Sequence, residues 1–191
     1  MNPNIKKLLT DTIETCLKSN CNFKISAKDY VLVDGIKCSG WYDENDLVVA
    51  GGKKEWLDVL VHESCHMDQF LQGYKYWQCG DNSLSMIDKW LAGKRRTRAE
   101  LIKSTKNVIM LELDCEKRTV QKMKKYKIPF NAGLYIQKAN AYLFGYWATL
   151  RDRKWYQFPY EKKEIYGKMP KVFLEPKEYL NNYEKFLTLY A

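Results

Sequence analysis

Apolar positions Ile5, Leu8, Leu9, Ile13 and Leu17 recur at helical spacing and predict a first helix over 4–19. The texture then changes. From Phe23 to Ala50 the chain breaks into short runs rich in β-branched and aromatic residues. Tyr30-Val31-Leu32-Val33 runs into Asp34-Gly35, a favoured hairpin turn, and Ile36 to Tyr42 follows. Asp43-Glu44-Asn45-Asp46 reads as a second turn ahead of Leu47-Val48-Val49-Ala50. These runs predict a small antiparallel sheet. Gly51-Gly52 ends the last strand, and helical periodicity resumes over about 54–72, with Gly73 as the stop. Further helices are expected over about 83–91, 98–126 and 132–151, and a last amphipathic one over about 177–189. The fold class predicted is α+β with helices dominant. No repeat, low-complexity segment or Gly/Ser-rich linker interrupts the chain, so one domain over 1–191 is expected.

Composition narrows the class without naming a chemistry. Hydrophobic content of 46% and charged content of 29% belong to a folded globular chain. No apolar run approaches the roughly 20 residues that cross a bilayer. The polar start, Met1-Asn2-Pro3-Asn4-Ile5-Lys6-Lys7, lacks the apolar core of a secretory signal, so a cytoplasmic protein without a membrane partner is expected. The six cysteines show no Cys-x-x-Cys pair, and in that compartment they should be reduced thiols packed as small apolar groups. A formal charge of +9 includes the cluster Lys94-Arg95-Arg96-Thr97-Arg98. Either a solvated lysine-rich surface or a nucleic-acid partner accounts for it.

The chemistry lies in Val59-Leu60-Val61-His62-Glu63-Ser64-Cys65-His66-Met67, which holds both histidines of the chain. Four residues apart on a helix, the two imidazoles share a face and can converge on one metal, with Glu63 beside them. A catalytic zinc takes three protein ligands and keeps one position open. With no third histidine, the missing ligand must be Cys, Asp or Glu. Glu112 is the best candidate, because it interrupts the apolar run Val108-Ile109-Met110-Leu111 and a buried carboxylate needs a partner. Glu116, one turn later, can accept a hydrogen bond from a ligand imidazole. Alternatively, both glutamates pair with Lys117 and Arg118 on a solvated face.

His62-Glu63-Ser64-Cys65-His66 followed by Glu112-Leu113-Asp114-Cys115-Glu116 resembles the gluzincin metallopeptidases, and the texture of the chain is similar to small metallopeptidase domains encoded by phages. The resemblance covers about 47–119. It implies a zincin-like fold in which a strand ahead of the motif helix borders the cleft. It also implies zinc held by His62, His66 and Glu112, with Glu63 as catalytic base and Glu116 as supporting carboxylate. Glu116 stands where an aspartate is usual. The expected reaction is hydrolysis of a peptide or protein substrate, its extended chain adding alongside Val48, Val49 and Ala50. The oxyanion needs a donor that is not a histidine, and the expected source is the helix over 132–151. Tyr142, which shares a face with Tyr135 and Tyr146, comes first and Asn140 second, with buried core roles as the alternative for both. Two imidazoles and a carboxylate also suit Mn, Co or Fe. The competing functions are a basic nucleic-acid-associated protein and a non-proteolytic zincin-fold module.

Overall fold

The computed structural model describes residues 2–33, 35–156 and 158–190, and its contacts gather the chain into two compact units. One comprises Met1–Tyr74 with Cys115–Pro129, the other Lys75–Asp114 with Phe130–Ala191.

In the first unit, helix α1 (Pro3–Lys18) begins where the Asn2 side chain accepts from the Asn4 amide. It buries Leu8, Thr12 and Cys16, one residue per turn, and leaves Ile13 and Leu17 largely exposed. Asn20 takes a left-handed conformation after it, and the Cys21 amide donates back to the Cys16 carbonyl at 2.8 Å, which closes the helix end. Strand β1 (Asn22–Ser26) follows directly. The remaining strands are β2 (Val31–Val33), β3 (Ile36–Cys38), β4 (Gly40–Tyr42) and β5 (Asp46–Ala50).

β2 and β3 pair as an antiparallel hairpin with Val33 opposite Ile36 and Gly35 at φ +81°. Asp34 of the expected turn lies outside the described residues. The Asp43 carboxylate accepts from the Asn45 and Asp46 amides, each at 2.8 Å, and this Asx turn folds β4 back antiparallel onto β5. That leaves the other side of β5 to β1. The Asn22 amide donates to the Asn45 carbonyl at 2.7 Å, and β1 runs parallel to β5 from Asn22 opposite Asp46. The three-stranded sheet, ordered β1-β5-β4, is therefore mixed and not antiparallel as expected. The pattern marks strands but not the direction in which a distant strand enters.

Helix α2 (Trp56–Leu71) carries both histidines and packs on β5 and β4. It ends as expected, with Gly73 at φ +62° and the Tyr74 amide donating to the Gln69 carbonyl. The closing part of α4 (Arg98–Lys125) is fastened to α2 by polar contacts. Lys122 Nζ reaches Asp68 at 2.6 Å, the Ser64 carbonyl at 3.1 Å and the Ser64 hydroxyl at 3.0 Å. Arg118 donates to Gln72 Oε1 at 2.6 Å.

The second unit holds α3 (Trp77–Leu91), the opening part of α4, α5 (Ala132–Asp152) and short helices α6 (Lys163–Tyr166), α7 (Pro176–Asn181) and α8 (Tyr183–Leu187). Its core includes Phe144, Trp147, Tyr179 and Phe186. Helices dominate the chain, which is of the α+β kind. Among the described residues no helix is long and apolar enough to cross a membrane.

Candidate metal centre

α2 is helical through His62 and His66, so their rings stack one turn apart, with centroids 4.7 Å apart and planes near perpendicular. The two Nε2 atoms face each other at 3.1 Å. Each ring is held from behind. His66 Nδ1 lies 2.8 Å from Oε1 of Gln69, a fully buried side chain on the same helix. His62 Nδ1 lies 3.4 Å from Glu116 Oε1 on α4. Both partners are acceptors, an arrangement that favours a proton on each Nδ1 and turns both Nε2 atoms toward one point. At that distance the two nitrogens either share one proton in an N–H···N hydrogen bond or bind a common cation. Zinc–nitrogen bonds of about 2.0–2.1 Å at tetrahedral angles place two ligand nitrogens about 3.3 Å apart. The donor set fits a metal.

The surroundings are negative. Burial opposes a charge on His62, but Cys115 and Glu116 beside it outweigh burial and hold its pKa well above the ordinary imidazole value. Cys115 is buried on α4, its Sγ 3.3 Å from the His62 carbonyl and 3.7 Å from His62 Nδ1. The donor atoms of His62, His66 and Cys115 lie within 4.8 Å of one another, and this group could hold a metal ion.

Glu63 is buried and lies under β4. A Cβ built on Gly40 would come within 2.8 Å of Glu63 Cγ and Oε1 and 2.5 Å of Val59 Cγ1, so only glycine lets the strand pass this close. Burial, and then the Glu63 carboxylate, push the Cys38 thiol up to about 11. The carboxylate thus lies against the β3–β4 stretch, within the unit that carries both histidines.

The other residues singled out by sequence are distributed unevenly. Glu116 stands beside His62, where it accepts from the ring. Glu112 is buried one helical turn earlier but groups with the second unit. Val48, Val49 and Ala50 belong to the central strand of the sheet, hydrogen-bonded on both sides, so no extended chain can add alongside them. The outer strands are β1 and β4.

Asn140 is fully buried in the second unit. Its Nδ2 donates to the Pro170 and Val172 carbonyls, and its Oδ1 accepts from the Leu174 amide and the Tyr179 hydroxyl. With both amide protons so engaged it has no donor left for an oxyanion. It clamps the segment ahead of α7. Tyr142, also in the second unit, shares a hydrogen bond of 2.7 Å with the Tyr146 hydroxyl and meets Tyr146 and Tyr160 edge to face.

Sequence reasoning missed Gln69, Cys115 and Gly40. Gln69 sits three residues after His66, on the same helical face, and that spacing was its one available signal. Comparison with protein-family models, with curated proteins and with solved structures finds no match for this chain.

Proposed function

We propose that this chain is a zinc-dependent peptidase of the gluzincin kind, with Glu63 as the general base. One observation carries the reading: two Nε2 atoms converge at 3.1 Å while a buried acceptor stands behind each ring at Nδ1. A pair of surface histidines at helical spacing has no need of two buried acceptors. His62 and His66 supply two ligands. The third comes from α4, where the resemblance points to Glu112 and the donor cluster contains Cys115. When bound, zinc polarises a scissile carbonyl and acidifies water beside it. Glu63, buried next to His62, accepts the proton of the attacking water and returns it to the leaving amine. The outer strand β4 passes directly over Glu63, and its outer edge suits main-chain pairing with an extended peptide.

The deciding experiment measures bound zinc and peptide cleavage for the wild type and Glu63→Gln. The expected result is stoichiometric zinc in both, with cleavage reduced about 10²- to 10⁴-fold in the variant. A wild type without stoichiometric zinc, or a variant that cleaves at full rate, overturns the reading. Glu112→Ala and Cys115→Ser in the same zinc assay identify the third ligand by the variant whose affinity collapses.

A further inference from the structure

Two basic segments far apart in sequence meet on the second unit. α3 ends with Gly93 at φ +99°, where the Lys94 amide donates to the Lys89 carbonyl at 2.9 Å. The next carbonyl, that of Trp90, accepts from Arg153 at 2.9 Å, and the Arg153 guanidinium lies over the Trp90 ring at 5.2 Å. Arg153 takes its left-handed conformation just after α5, which brings the chain back to α3. Two residues on, Trp155 Nε1 donates to Asp88 Oδ1 at 3.0 Å. These bonds bring Arg153, Lys154 and Trp155 to the end of α3, from which the exposed run Lys94-Arg95-Arg96-Thr97-Arg98 leads. The carboxylates of the same segments are engaged locally: Asp88 by Trp155, Glu100 by the Thr97 amide and hydroxyl, Asp152 by Arg151. Cations outnumber them. Trp155 is 40% exposed while its N–H is fixed and its ring meets Tyr146 edge to face at 5.7 Å, so what it leaves to solvent is an immobilised aromatic surface.

We propose that this surface binds single-stranded nucleic acid, with its arginines and lysines on the phosphates and Trp155 stacked against a base. Planar guanidinium forks match phosphate oxygens in pairs. An exposed, immobilised indole offers a stacking face that an acidic peptide would not use. A duplex keeps its bases stacked on one another, which selects the single strand.

The test measures binding of a fluorescein-labelled oligo-dT of about 20 nucleotides between about 50 and 200 mM salt, the range over which counterion release is read. Arg95→Ala/Arg96→Ala/Arg98→Ala should weaken binding at least tenfold and flatten the log–log salt slope by about 2, at about 0.7 for each phosphate no longer neutralised. Trp155→Ala should weaken binding roughly tenfold with the slope unchanged. The charge-matched control Lys124→Ala/Lys125→Ala/Lys127→Ala should bind almost as the wild type does, and a zinc chelator should leave affinity unchanged. Circular dichroism melting confirms that each variant is folded. Absence of salt-dependent binding overturns the proposal, as does a control triple that weakens binding as much as the arginine triple. Equal competition by a duplex reduces the surface to bare phosphate attraction and overturns the stacking role. Displacement by polyglutamate with no effect of Trp155→Ala assigns the surface to an acidic protein instead.

Discussion

An imidazole offers a metal whichever nitrogen its neighbours leave unprotonated, so the residues behind the rings matter as much as the rings. Gln69 holds His66 Nδ1 at 2.8 Å and Glu116 holds His62 Nδ1 at 3.4 Å. Replacing Gln69 with Leu keeps the volume but removes the acceptor, and His66 can then carry its proton on Nε2. Zinc affinity of Gln69→Leu should fall about 10- to 100-fold, measured by competition with a chromophoric chelator, while Gln69→Glu keeps it. Unchanged affinity in the leucine variant would remove Gln69 from the centre. The pairing of His62 with His66 was legible because two histidines four apart on a helix carry their own geometry. Gln69 was not, because glutamine neither ligates zinc nor titrates. Cys115 was passed over because its spacing to the other cysteines fits no metal motif. Asn140 misled for a physical reason: a polar side chain among alanines marks an oxyanion donor and a buried clamp equally well.

At the scale of elements, periodicity located helices well and their ends less well. α4 and α5 fall within two residues of expectation at both ends, whereas α3 starts six residues before the expected 83. Its first turns contain Gly80, Asp81 and Asn82, poor helix formers that tertiary packing overrides. A Cβ on Gly80 would meet Leu111 Cδ2 at 2.6 Å, so the glycine serves close packing against α4. The last amphipathic stretch is not one helix but α7 and α8, broken at Asn182. Strand and helix come close together at Gly40, whose absent side chain leaves room for Glu63 and Val59. Gly40→Ala should destabilise the fold by about 1–3 kcal/mol through overpacking. It should also displace the Glu63 carboxylate, lowering peptide cleavage at least tenfold while zinc stays bound. Denaturant unfolding and zinc content read the two effects separately. A Gly40→Ala protein with full activity and wild-type stability would mean that β4 does not set the position of Glu63.

For the whole molecule, the lack of any linker in the sequence led to one domain over 1–191. The chain passes between the two compact units after Tyr74, inside α4 and after Pro129; Gly73 and Pro129 read in the sequence only as helix stops, and nothing marks the crossing inside α4. Cys115 and Glu116 open the part of α4 that belongs with both histidines, so His62, His66 and Cys115, the group that could hold a metal ion, lie within one unit. The core around Phe144 and Tyr179 lies within the other. A ligand that binds only the folded state stabilises it by about 2.7 kcal/mol at a hundredfold excess over its Kd. That stabilisation reaches only those openings that release the ligand. Chelation should therefore speed hydrogen exchange about a hundredfold in α2 and in residues 115–125, where opening breaks the centre. The buried amides of α5 around Phe144 should exchange at unchanged rates, because that core contains none of the three donors. Exchange measured by mass spectrometry, with and without chelator and with zinc restored, separates the outcomes. Equal acceleration in α2 and α5 would show that the units open together, and no acceleration in either would show that His62 and His66 hold no metal in the folded chain.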